Sequence, residues 1–164
     1  MPAGNTYEAI ATQTLGSAAA TVTFSSIPGT YTDLVLIENY SLSTLAQSIL
    51  TFNGSSSGYS STNLFGNGSS AFSARYTGTG GVGSSPGVGD TANQQNVLIR
   101  NIQNYSNSTT YKTLIQRRND ALASTWATVG LWQSTSAITS ITLSTGGGNY
   151  NAGSTFSLYG IASA

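Results

Sequence analysis

Cysteine and histidine are both absent from this chain of 164 residues. Their absence excludes disulfides, Ser-His-Asp and Cys-His nucleophile systems, the usual zinc sites, and haem or iron–sulfur ligation. Charge is nearly as scarce: five basic and five acidic residues make 6% of the chain and leave a net charge of zero, where about a quarter is usual. The cations Arg75, Arg100, Lys112, Arg117 and Arg118 are spread out, so the basic footprint of a nucleic-acid binder is missing and no nucleic acid is expected as a partner. Long apolar runs are missing too. The longest aliphatic one is Leu34-Val35-Leu36-Ile37, far short of the roughly 20 residues of a spanning helix, and no membrane role is expected. Met1 to Gly16 has no basic n-region and carries Glu8 where an apolar core would begin, so no secretory signal is read.

What fills the chain is Ser (26), Thr (23), Gly (19) and Asn (13). Nine Tyr, five Phe and two Trp, with recurrent Val, Ile and Leu, argue against disorder. The apolar residues come in short clusters without a sustained helical stripe. Thr21–Phe24 and Ala127–Trp132 alternate cleanly, and Leu34–Ile37 is apolar on both parities, as a covered central strand would be. Further strands are predicted at Ala9–Thr14, Ile49–Phe52, Ala71–Tyr76, Val97–Ile102, Tyr111–Gln116, Ile138–Leu143 and Phe156–Ile161. Turn signals separate them: Ile27-Pro28-Gly29, Asn53-Gly54, Asn67-Gly68 and Gly146-Gly147-Gly148. The expected fold is all-β, one antiparallel jelly-roll-like β-sandwich over residues 1–164, with a short N-terminal tail at 1–6. Gly78–Asn96 reads as a long glycine-rich loop, of which Gly78–Gly89 is expected to be exposed and mobile.

Chemical motifs are weak. Gly78-Thr79-Gly80-Gly81-Val82-Gly83 matches G-x-G-x-x-G, but no helix can follow through Ser84-Ser85-Pro86-Gly87 and no carboxylate lies near position 103. Among the carboxylates Glu8, Asp33, Glu38, Asp90 and Asp120, the closest pair in sequence, Asp33 and Glu38, falls on opposite faces of one strand. Asp33 reads as the end of a turn, and Asp90 and Asp120 as loop residues. No Asp-rich calcium loop exists, so neither a metal nor another cofactor is expected. Asn-x-Ser/Thr matches at Asn39, Asn53, Asn67, Asn104 and Asn107 follow from the composition. Aromatic side chains suggest a sugar-stacking platform: Tyr59, Tyr76, Tyr105, Trp126, Trp132 and Tyr150 are the candidates. Tyr76, Trp132 and Tyr150 are the preferred partner or glycan contacts, although for any one of them a core or interface position is the commoner fate. Catalysis is not expected. A neutral surface of hydroxyls and amides suits a protein packed permanently against neighbours, which points to a homo-oligomer or a component of a larger shell.

Several segments, in order, carry a resemblance. They are Phe24-Ser25-Ser26-Ile27-Pro28-Gly29-Thr30-Tyr31-Thr32-Asp33-Leu34-Val35-Leu36, Leu50-Thr51-Phe52-Asn53-Gly54, Tyr59 to Ser69, Ile102 to Asn107, Tyr111-Lys112-Thr113, Gly130-Leu131-Trp132, Ala137 to Leu143, and Ala152 to Ile161. Together they resemble a small β-domain recurrent in structural proteins of tailed bacteriophages, especially those of cyanobacteria and marine bacteria. The resemblance implies a sandwich fold and a virion protein assembled in the bacterial host cytoplasm, with the major capsid protein or other virion proteins as partners. It carries no catalytic or binding residues. Two roles fit: a capsid decoration (cement) protein that clamps neighbouring capsomers, for which a trimer is favoured, or a fibre head domain that binds a host glycan. Strand-like sequence beginning by about residue 7 leaves no shaft before it, and the decoration role is the one expected.

Overall fold

A computed structural model describes residues 6–83, 89–120, 122 and 124–162. Eleven strands carry the described chain: β1 (Tyr7–Thr14), β2 (Thr21–Phe24), β3 (Asp33–Tyr40), β4 (Ser48–Phe52), β5 (Tyr59–Gly66), β6 (Ala71–Thr79), β7 (Asn96–Gln103), β8 (Lys112–Asp120), β9 (Ser124–Trp132), β10 (Ile141–Thr145) and β11 (Thr155–Ile161). Eight form one sheet, in the order β1-β11-β3-β7-β8-β9-β5-β6, and three form a second, β2-β10-β4. Every strand pair is antiparallel. The chain crosses between the layers at β1–β2–β3–β4–β5 and again at β9–β10–β11, which gives the jelly-roll-like sandwich expected from the sequence.

The alternation of side chains explains the layers. In the small sheet Val22, Leu143 and Leu50 stand in one row, and Phe24, Ile141 and Phe52 in the next. All six are buried. They meet Leu34 and Leu36 of β3, Leu98 and Ile102 of β7, Leu114 of β8, and Phe156 and Leu158 of β11 in one core. Three strands cannot cover eight, so among the described residues one face of the large sheet has no second layer over it, and β5 and β6 form an overhanging wing.

Three sequence expectations need correction. Tyr59–Gly66 is a central strand that the sequence pattern missed. Strand β10 begins only at Ile141. Ile138 ahead of it is a buried core residue, and the amides of Thr139 and Ser140 donate to Asn53 Oδ1 instead of to a strand partner. The third concerns the glycine-rich loop, of which residues 84–88 lie outside the described residues. Of its described parts Gly78 and Gly80 are exposed, but Gly81 is buried and Gly83 and Gly89 are half-buried. Val82 and Asp90 are buried and pair with Leu50 and Ala46, so they sheathe the free edge of β4. The glycines make this possible: a Cβ on Gly81 would sit 2.8 Å from Leu50 O, and one on Gly83 2.5 Å from Ser48 O. Backbone lies against backbone there with no room for a side chain.

Turn chemistry also accounts for three of the Asn-x-Ser/Thr matches. Asn67 Oδ1 accepts from the amides of Ser69 and Ser70, and Asn107 Oδ1 from those of Thr109 and Thr110. Asn53, with φ of 50°, holds the approach to β10 as described.

Candidate functional site

Six of the ten charged side chains are buried: Glu38, Asp90, Arg100, Lys112, Arg118 and Asp120. Five sit on the inward parity of β3, β7 and β8, and Asp90 is bridged to Ala46 outside the strands, so the fold must satisfy them internally. Arg100 is the centre. Its Nε donates to Glu38 Oε1 at 2.5 Å and its Nη1 to Gln116 Oε1 at 2.8 Å. Its Nη2 donates to Ser48 O at 2.8 Å, and Nη1 also reaches Val82 O at 3.4 Å. One guanidinium therefore ties β3, β8, β4 and the glycine-rich segment together. Ser48 Oγ donates to the second Glu38 oxygen at 2.5 Å and lies 2.8 Å from the Tyr150 hydroxyl.

A second cluster holds the return of that segment. The Tyr40 hydroxyl donates to Asp90 Oδ2 at 2.6 Å, and Arg118 Nε lies 3.1 Å from Asp90 Oδ1. The Arg118 guanidinium also stands 4.5 Å over the Trp126 ring, a cation–π contact. Burial pushes the Asp90 carboxyl above the usual aspartate range, with Arg118 and the Tyr40 hydroxyl offsetting only part of it. Asp120 differs. Burial again opposes its charge, but hydrogen bonds from Thr91 N and Oγ1 and from Leu122 N, with Arg118 nearby, outweigh it and hold the carboxyl below its ordinary value. A depressed carboxylate contributes stability above its unfolded pKa of about 3.9, and that contribution disappears as pH falls through the folded value. Asp120→Asn is therefore expected to lower stability at neutral pH. It should also flatten the acid limb of the stability–pH curve, as read by urea unfolding at a series of pH values.

The sequence-selected aromatics are not gathered into a platform. Trp132 is buried, stacked at 6.0 Å on Tyr59 and packed against Phe52. Tyr150 is fully buried, edge-on to Tyr40 and Phe156. Tyr59, Tyr105 and Trp126 are buried as well. Only Tyr76 is half-exposed, on the overhanging strand β6, apart from the other two preferred residues. Trp132 and Tyr150 are thus corrected from surface contacts to core residues: Trp132 lies on the inward parity of β9, and Tyr150, between β10 and β11, is bridged to Ala19 and Leu42 with its ring against Tyr40 and Phe156.

What is exposed lies on the other side of the large sheet. The cross-strand registers build two neighbouring rows there. One runs Val35, Asn101, Ile115, Val129, Thr62, Arg75, and the other Ile37, Ile99, Arg117, Ala127, Leu64, Ser73. Leu64 is 62% exposed, Val129 56% and Ile115 45%. A shallow trough of about 430 Å³ lies over Gly66 and Ala71, walled by Leu64, Thr125, Ala127 and Arg117. Only four charged side chains are not buried: Glu8, Asp33, Arg75 and Arg117. Both cations stand on this face, and neither makes an ion pair among the described residues. Sequence reasoning missed the face because it weighed polar and aromatic chemistry. The signal was present as outward Ile115, Val129 and Leu64 in otherwise Thr-, Ser- and Asn-rich strands.

These features define a β-sandwich with an accessible sheet face on which Leu64, Ile115 and Val129 are exposed, with Arg117 within the face and Arg75 at its β6 edge. Compared with protein-family models, with curated proteins and with solved structures, the chain matches none.

Proposed function

We propose that this chain is a bacteriophage virion structural protein of the capsid decoration type, which seats the uncovered face of its large sheet on neighbouring capsomers. The observation that carries the reading is the exposure of Leu64, Ile115 and Val129 side by side on one sheet face. Contiguous apolar surface of this kind marks a protein contact. The near-absence of surface charge supports it, since few ions lose hydration on docking. The internal staple of Arg100 and Glu38 supports it too, because a clamp must hold its shape under load. The order of sequence segments supplies the virion context. The fibre-head alternative draws on a sugar-stacking platform, and of its preferred residues only Tyr76 is half-exposed while Trp132 and Tyr150 are buried, which favours the decoration reading.

The test is docking of the purified chain to heads that lack it, with Val129→Glu and Ile115→Glu as variants. Both positions are exposed, so melting temperature should stay near that of the parent. Binding should weaken at least about tenfold for each, as for a charge buried without a partner in an interface. Unchanged binding by both variants, or density of the protein at the tail tip with bare heads, would reject the proposal.

A further inference from the structure

The sandwich has four sheet edges, and three are covered, short or interrupted. Strand β4 is covered by Val82 and Asp90. Strand β2 is only four residues long. Strand β1 carries a register shift between Ala9 and Ala11, and Gln13 Nε2 ties it to Thr23 O at 2.7 Å. Strand β6 is different. It pairs with β5 alone among the described residues, and it carries one charge, Arg75. An unbroken edge with so little charge is a template for another strand.

Its regular stretch is bounded on both sides. The hairpin closes at Asn67 N to Ser70 O, and a bulge at Gly78, with φ of 66°, ends the simple register beyond Thr77. The stretch between is Ala71-Phe72-Ser73-Ala74-Arg75-Tyr76-Thr77, whose midpoint is Ala74. Counting from the Asn67–Ser70 bond, the ladder to β5 uses Phe72, Ala74 and Tyr76, so Ala71, Ser73, Arg75 and Thr77 turn their amides and carbonyls outward.

We propose that two copies of this chain associate through antiparallel β6–β6 pairing about a two-fold axis at Ala74. The outward groups then fall in register, Ala71 with Thr77 and Ser73 with Arg75 of the other copy. On the inner face Phe72 meets Tyr76 of the other copy. That contact continues an aromatic row already built within one copy, in which Trp126 stacks on Phe65 at 4.3 Å and Phe65 on Phe72 at 4.9 Å. The row ends at the sheet edge with Phe72 47% exposed. On the outer face each Arg75 stands opposite Ser73, and the two arginines are diagonal neighbours. Centring the axis one pair further along, on Arg75, would set them directly opposite, which disfavours that register. The pairing uses an edge and not the apolar face, so it stands or falls independently of the docking proposed above. The pairing predicts a two-fold dimer, where the decoration role implied by the resemblance led to the expectation of a trimer.

The test uses the full chain in sedimentation over a concentration series up to about 100 µM. A dimer is expected, tighter at higher salt because the diagonal arginines are screened. Ser73→Glu should tighten it about tenfold and reverse the salt dependence, and Ser73→Lys should loosen it by a similar factor. The chain has no cysteine, so Ala74→Cys reports the axis directly. The paired Cα atoms would lie about 4.5 Å apart, within disulfide range, and oxidation should give a covalent dimer. Ala71→Cys, well off the axis, should not. A monomer throughout the series, a trimer, or equal cross-linking at 71 and 74 would overturn the proposal.

Discussion

Replacing Arg100 with methionine should lower folding stability by about 3–5 kcal/mol, a large part of the roughly 5–15 kcal/mol of a typical domain. The guanidinium is fully buried, and removing it leaves Glu38, also fully buried, with a charge that Ser48 Oγ alone cannot satisfy. The Ser48 and Val82 carbonyls and Gln116 Oε1 lose their donor in the same step. Denaturant unfolding of the single variants and of the double variant Glu38→Met/Arg100→Met separates the contributions. The double variant should recover much of the loss, because no uncompensated ion remains. If Arg100→Met proves as stable as the parent, Arg100 is not the interlayer tie described above.

Trp132→Ala should cost about 3–5 kcal/mol, the usual range for emptying a large aromatic site in a core. Trp132 closes the end of β9, stacks on Tyr59 and contacts Phe52 of the small sheet. The Tyr59 hydroxyl in turn accepts from Phe52 N at 2.7 Å, so the gap loosens a contact between layers. The effect must be seen as a drop in melting temperature and unfolding midpoint. A stable Trp132→Ala variant that instead loses binding to a host-surface glycan would restore the aromatic-platform reading.

Local pattern was sufficient where one parity is apolar without interruption, whichever way it faces: Val22 and Phe24 point inward, whereas Ala127, Val129 and Leu131 point outward. Thr21–Phe24 and Ala127–Trp132 were readable because their parity is uniform, and the structure keeps both segments within β2 and β9. Strand β5 was lost because two of its inward residues, Ser61 and Asn63, are polar yet buried, which erases the alternation. Ile138 misled for the opposite reason: its side chain enters the core while Asn53 takes the neighbouring amides from any strand. Glu38 and Arg100 carry a signal that parity alone contains. Each stands at an inward position, Glu38 after Leu34 and Leu36, and Arg100 between Leu98 and Ile102. Two opposite charges on covered strands imply a pair, but only the β3–β7 register brings them within reach.

The sequence by itself determined that this is an all-β chain without disulfides, and with too few charges to be steered by electrostatics. Period-two alternation, turn residues and composition are local properties, legible without knowledge of neighbours. The tertiary structure alone decided which side chains share a surface. Among the described residues, eight strands against three leave one broad face and one long edge uncovered, and cross-strand register brings Leu64, Ile115 and Val129 together there. It also draws six charges inward. Such choices depend on pairings between residues far apart in the chain, and no local window contains them.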